Sequence, residues 1–197
     1  MTDVTAAYDR IAHWFDRNRT RALIERPYLD ALTRALRPQA TILDLGCGSG
    51  EPILRFLVER AFEVTGVDAS GAMLEIARSR FPASAFVLGD MRDVAFDERF
   101  DAVVAWHSLF HLPPADQRAM FRRFAALLRP GGLLMFTSGT AHGESWSENG
   151  GEALYHASLD LDEYRGLLAA HGFTLLRHGV DDAACGGATV WIARLPG

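Results

Sequence analysis

A chain of 197 residues, 49% hydrophobic and 23% charged, is long enough for one packed domain burying roughly 70% of its unfolded surface. It is also too apolar to be disordered. The formal charge of −5 excludes the basic stripe that a protein neutralising many phosphates requires, so nucleic acid is not an expected substrate. No apolar run is long enough for a membrane helix, and MTDVTAAYDR lacks the apolar centre of a signal peptide. The two cysteines, Cys47 and Cys185, form neither a zinc spacing nor a disulfide framework, so a cytoplasmic protein with no metal is expected.

Thr5 to Leu36 read as one or two helices, with Tyr8, Ile11 and Phe15 on one stripe and Pro27 as a break. From Thr41 onward short β-rich runs alternate with helical patterns, the signature of right-handed βαβ units around a parallel sheet. Seven strands are predicted: Thr41–Leu45, Glu63–Val67, Ala85–Leu88, Ala102–Trp106, Leu133–Thr137, Phe173–His178 and Thr189–Ala193. Helices are predicted at Pro52–Arg60, Ala72–Ser79, Asp116–Leu128 and Asp160–His171. In Asp116–Leu128, Met120, Phe121, Phe124, Leu127 and Leu128 keep helical spacing, which leaves Arg118, Arg122 and Arg123 for a solvated face. Pro130 and Gly131–Gly132 then end the helix and turn the chain. SGTAHGESWSENGG, Ser138 to Gly151, is polar, glycine-rich and longer than an ordinary connection, which predicts a functional loop. The whole reads as a single domain over residues 1–197, with N-terminal helices in 1–38 and a core in 41–194.

The chemistry concentrates after the first strand. Gly46, Gly48 and Gly50 sit between strand and helix, where missing side chains let backbone approach a ligand. A dinucleotide fingerprint would place a glycine where Glu51 stands, and an acid beside a pyrophosphate is unfavourable. Acidic Asp44 and Glu51 instead suit a phosphate-free ligand bearing a sulfonium and an ammonium. Asp68, closing the second strand 22 residues after Gly46, can accept from both hydroxyls of a ribose or can cap the following helix.

ILDLGCGSG, VTGVDAS, LGDMRD and LLRPGG, in this order, resemble the successive motifs of class I S-adenosylmethionine-dependent methyltransferases over roughly Thr41 to Ala193. The resemblance implies a doubly wound, Rossmann-like α/β fold with a seven-stranded sheet ordered 3-2-1-4-5-7-6, its last strand antiparallel, and S-adenosyl-L-methionine as cofactor. It implies Gly46, Cys47 and Gly48 beside the methionyl part, with Asp44 and Gly50 in the same loop region. Asp68 and Ala69 would lie at the ribose, Met73 on the adenine face, and Asp90 with Met91 at the adenine edge. Trp106 would border the reacting methyl group.

In FDAVVAWHSLFHL, His107 and His111 stand four apart as a candidate base or metal pair, with His107 the preferred base. No acidic ligand cluster accompanies them, so no metal is expected. Tyr155 and His156 follow the polar loop and are candidate substrate contacts. Tyr8, Trp14 and Phe15 can form an aromatic lid over the cofactor, and rings attract a sulfonium. Arg19 and Arg21 can bind a carboxylate or simply be exposed. The expected function is methyl transfer to an O, N or S atom of a small molecule by a monomer or homodimer. The alternatives are a non-catalytic adenosyl-ligand-binding domain and an NAD-dependent oxidoreductase.

Overall fold

The computed structural model describes residues 4–197. Two helices, α1 (Val4–Asn18) and α2 (Arg26–Arg34), precede the sheet. The break between them falls at residues 19–25, while Pro27 enters the first turn of α2, where its missing N–H leaves no intrahelical bond unmade. The core then runs β1 (Thr41–Leu45), α3 (Ile53–Val58), β2 (Glu63–Asp68), α4 (Gly71–Arg80), β3 (Ala85–Leu88) and β4 (Phe100–Ala105). It continues with α5 (Pro114–Leu127), β5 (Leu128–Ser138), β6 (Gly143–Asn149), β7 (Glu152–Ser158), α6 (Leu161–Ala170), β8 (Thr174–Asp182) and β9 (Ala188–Arg194).

The seven-stranded sheet has the order β3-β2-β1-β4-β5-β9-β8, with β9 antiparallel to both neighbours. Counting only sheet strands, this is the expected 3-2-1-4-5-7-6. Both faces are covered, so the central strands alternate apolar residues to each side rather than apolar with polar. Leu43, Leu45, Val103, Phe121, Phe124, Phe136, Tyr164 and Trp191 pack on one face. Ile42, Val104, Met135 and Ile192 pack with Tyr28, Leu29, Leu32, Leu54 and Phe56 on the other.

Three departures from the sequence reading concern what surrounds the site. The polar stretch Ser138–Gly151 is half of an antiparallel hairpin rather than a loop: β6 pairs with β7 from Gly143↔Ser158 to Asn149↔Glu152. Gly150 and Gly151 supply the positive φ that its two-residue turn requires. Helix α5 stops at Leu127, before Pro130, because β5 already pairs at Leu128. Its arginines are not merely solvated: Arg118 pairs with Glu163, and Arg123 donates to the Met91 and Val94 carbonyls, pinning the segment after β3.

Helix α1 lies across the carboxyl ends of the strands and is held there by polar ties. Asp9 Oδ1 accepts from Ser70 Oγ at 2.6 Å and from the Ala72 amide at 3.1 Å. Asp16 accepts from Ser49 at 2.7 Å and twice from Arg80 at 2.8 Å. Arg10 makes a two-bond pair with Glu152 of β7 at 2.6 and 2.7 Å, while Ile11 and Trp14 press on the hairpin turn at Gly150. The bonds from Arg80, its largest influence, hold the Asp16 carboxyl at about 2. A carboxylate whose folded-state value is depressed stabilises above its unfolded value and loses that contribution as pH falls through the folded one. Asp16→Asn is expected to lower unfolding stability at pH 7 by about 1–2 kcal/mol, the low range for charge-assisted bonds that touch solvent. Urea unfolding should show this deficit shrinking between pH 4 and pH 2.

Candidate functional site

The carboxyl ends of β1, β2 and β4 surround a cavity of about 490 Å³, roofed by α1 and flanked by the β6–β7 hairpin. This is where the strand order reverses between β1 and β4, the place at which open α/β sheets bind ligands. Its wall brings together Tyr8, Asp44, Gly46, Cys47, Gly48, Asp68, Ala69, Met73, Asp90, Met91, Trp106, His107, His111 and Tyr155. Gly50 and His156 are not brought into it.

The glycine loop explains the first of these exclusions. At Gly46, φ +79°, a Cβ would sit 2.3 Å from Ser108 Cβ, because Ser108 Oγ donates to the Leu45 carbonyl at 2.6 Å and is locked against the loop. At Gly50, φ +82°, a Cβ would meet the Phe81 ring at 2.6 Å, so that glycine serves packing rather than ligand approach. Glu51 is likewise committed: its carboxylate pairs with Arg55, with Arg80 at 3.7 Å, instead of lending its charge to a ligand.

Asp68 closes β2 and accepts from the Gly48 amide at 2.8 Å and the Ser70 amide at 2.9 Å. The helix cap is Ser70, whose Oγ accepts from the Met73 amide. Asp68 therefore shapes the turn while remaining in the cavity wall. Burial raises its carboxyl, and the two amides oppose the shift. Asp44, 3% exposed, is pushed up to about 7 by burial and then by the charge of Asp68. Near these acids Arg19 Nε is buried without a hydrogen-bond partner among the described residues, as is the Trp106 indole N–H. Asp90 is engaged by Arg92, which also reaches Asp116, and that pairing lowers its carboxyl. Among the described residues no group of three His, Cys, Asp or Glu is placed to hold a metal ion.

The far wall is aromatic. Tyr8 meets Phe15 and His111 edge-on, at centroid distances of 5.5 and 5.4 Å. His107 is held in the left-handed region, φ +51°, with its amide donating to Thr137 Oγ1 at 2.8 Å. His156 faces His111 and bonds Ser147 at 2.8 Å, behind the cavity wall. Trp14 rests on the hairpin rather than lining the cavity. Trp146 and Tyr155, paired edge-on at 5.3 Å across β6 and β7, form the mouth. Sequence reasoning missed Trp146, although a lone aromatic in a polar run was the available signal, and Ser49 and Ser108, which carried none.

Burial holds His107 and His111 at about 4, below the ordinary 6.5, so both are neutral at pH 7. An unfolded chain takes up these protons near 6.5 and the folded one only near 4, so the stability at stake is complete above 6.5 and falls across that window. The double variant His107→Gln, His111→Asn should flatten the decline of unfolding temperature between pH 6.5 and 4. An equally steep decline in the variant would contradict a buried neutral pair.

Comparison with known proteins adds a family. A family described as "Methyltransferase domain" matches residues 42–132. A malonyl-[acyl-carrier protein] O-methyltransferase of Serratia marcescens is 31% identical over 186 residues, 88% of this chain and 69% of the relative. A dTDP-3-amino-3,6-dideoxy-α-D-glucopyranose N,N-dimethyltransferase of Streptomyces fradiae is 40% identical over 110 residues, 54% of this chain and 43% of the relative. The chain spans about half the length of most of the curated relatives it matches. Among solved structures, the Burkholderia thailandensis 1,6-didemethyltoxoflavin-N1-methyltransferase, bound to 1,6-didemethyltoxoflavin and S-adenosylhomocysteine, superposes with a TM-score of 0.76. At 23% identity, over 98% of this chain and 87% of that one, it shows a shared fold.

Proposed function

Because this chain belongs to the class I S-adenosylmethionine-dependent methyltransferases, we propose that it binds S-adenosyl-L-methionine in the cavity and directs its methyl group to an O, N or S atom of a small molecule. The observation that carries this reading is the charge arrangement. A buried carboxylate, Asp44, and a half-buried one, Asp68, share a cavity wall with a guanidinium nitrogen that has no hydrogen-bond partner among the described residues. This set of groups is suited to an ammonium, a ribose and a carboxylate and ill suited to a pyrophosphate. The volume is that of an ordinary cofactor pocket.

In this reading Asp68 accepts from the ribose hydroxyls while keeping its two amide bonds. Met73 and Met91 flank the adenine, and Asp90 accepts from its amine beside Arg92. Asp44 and Arg19 hold the amino-acid end, with Gly46, Cys47 and Gly48 supplying backbone at close range and Ala69 completing the wall. The bound cofactor supplies an electrophilic methyl group on a positively charged sulfur. The chain's own contribution is alignment and exclusion of water, under α1 and between the aromatic walls of Tyr8, Trp106 and Tyr155. Residues 4–38 act as the lid of a core spanning 41–194, the first three residues of the expected 1–38 segment lying outside the described ones. The acceptor enters past Trp146 and Tyr155, and His107 stands where a proton can be taken or a hydrogen bond given.

Asp68→Ala is expected to weaken binding of S-adenosylhomocysteine roughly tenfold or more, the loss of one or two hydrogen bonds to a charged group. A smaller loss, in protein with an unchanged circular dichroism spectrum, would remove Asp68 from the ribose site. Asp44 is half protonated near pH 7, and a cationic ligand favours its charged form, so affinity for S-adenosylmethionine should rise as pH climbs toward and through about 7. Calorimetry of Asp44→Asn should lose that dependence; the same slope in both proteins would assign the effect elsewhere.

A further inference from the structure

The two nitrogens of His111 have partners of different kinds. Nδ1 lies 2.8 Å from the Tyr155 carbonyl oxygen, which can only accept, so Nδ1 carries the proton. A neutral imidazole then has a bare lone pair at Nε2, and that atom is 3.0 Å from Tyr8 Oη. The phenol therefore donates to the ring. With its hydrogen turned toward His111, Tyr8 keeps oxygen lone pairs in the cavity wall. His107 has no such chain behind it; its Nδ1 lies 3.5 Å from Thr137 Oγ1.

We propose, resting on the methyltransferase reading of this cavity, that Tyr8 takes the proton of the methyl acceptor while passing its own to His111, and that the acceptor is a neutral hydroxyl compound of phenol type. As the new O–CH3 bond forms, the S–CH3 bond breaks and its electron pair stays on sulfur. The acceptor's O–H proton moves to Tyr8 Oη, and the former phenol proton moves to His111 Nε2. The resulting imidazolium still donates from Nδ1 to the Tyr155 carbonyl, and positive charge has passed from sulfur to His111.

The surroundings select the acceptor class. A relay of this kind serves an acceptor that arrives protonated and is idle for a thiolate. An ammonium acceptor would need a free carboxylate beside it, but of the wall's carboxylates only Asp68 faces the pair, and it already accepts from the Gly48 and Ser70 amides and, in the proposed reading, from the ribose. Around the Tyr8–His111 pair stand the rings of Trp106, His107 and Tyr155 and the apolar Leu112 and Pro113, which suit a flat, uncharged molecule. The ionisable groups facing the pair are Arg19 beyond α1, Asp68 of β2, His107 after β4 and His156 of β7. Burial makes His111 a weak base, so the imidazolium returns its proton through Tyr8 once the product leaves. Tyr8 is the catalytic residue in this scheme and His111 the positioning one.

Long-range proton–nitrogen NMR of histidine-labelled protein tests the hydrogen-bond direction without any acceptor. The proposal expects His111 protonated on Nδ1, with an Nε2 resonance that shifts toward a free lone pair in Tyr8→Phe. A ring protonated on Nε2 would overturn it, since Tyr8 would then be the acceptor of that bond. With S-adenosylmethionine and a panel of neutral phenols, Tyr8→Phe should lower kcat by roughly 100-fold or more. His111→Asn, which keeps a donor toward Tyr155, should also lower kcat, with the S-adenosylhomocysteine Kd unchanged in both variants. Undiminished kcat in Tyr8→Phe, or methylation of amines or thiols but not phenols, would overturn the proposal. Failure of the wild-type protein to bind S-adenosylhomocysteine would instead sink the reading on which it rests.

Discussion

Two carboxylates at the ends of β1 and β2, Asp44 buried and Asp68 half-buried, feel each other's charge and set the terms for everything around them. Burying one ionised acid costs several kcal/mol unless it is paired or hydrogen-bonded, and a second nearby acid adds repulsion. Asp68 is partly offset by the Gly48 and Ser70 amides, which is why the glycine loop closes onto β2 at that point. Asp44 accepts no hydrogen bond among the described residues and is left with its carboxyl raised to about 7. A wall in that state favours a ligand that brings positive charge and hydroxyl donors. The family's cofactor has both, whereas a dinucleotide brings ribose hydroxyls but sets a pyrophosphate rather than a positive charge beside the glycine loop.

The placement of α1 is the second consequence. Carboxylates in a cavity open to bulk water would be solvated and unremarkable, so the site depends on α1 remaining across the strand ends. That helix is fastened by Asp9, Asp16 and Arg10 to three different parts of the molecule: the start of α4, the Ser49–Arg80 pair and the hairpin. These ties are polar and partly exposed, individually weak, and together they fix one register for the helix. Among the described residues Tyr8 makes the one ring-to-ring hydrogen bond from α1 into the aromatic wall, tying the helix to His111.

The seven sheet strands were legible because β-rich runs alternate with helical patterns between clear turns, whereas their order came from the resemblance of ILDLGCGSG, VTGVDAS, LGDMRD and LLRPGG to a known family. Glycine and acid after β1 pointed to the cavity that the strand ends surround. What failed did so for physical reasons. The hairpin escaped because β6 is exposed along its length, so GESWSEN carries no alternation of burial to read. Gly50 was read as a ligand glycine, although its φ and its neighbour Phe81 show a packing requirement that only the third dimension reveals. Arg123 looked like part of a solvated face, because nothing in its spacing announces the carbonyls of Met91 and Val94. Tyr8 and His111, 103 residues apart, were each noticed separately, and their bond depends on how α1 folds back.

The central claim is that this cavity is built for S-adenosylmethionine, and the most direct test is calorimetric titration of the wild-type protein with that cofactor alongside NAD. The account predicts a single site of micromolar affinity for S-adenosylmethionine and no heat with the dinucleotide. Well-folded protein that binds NAD, or that ignores both, would contradict it.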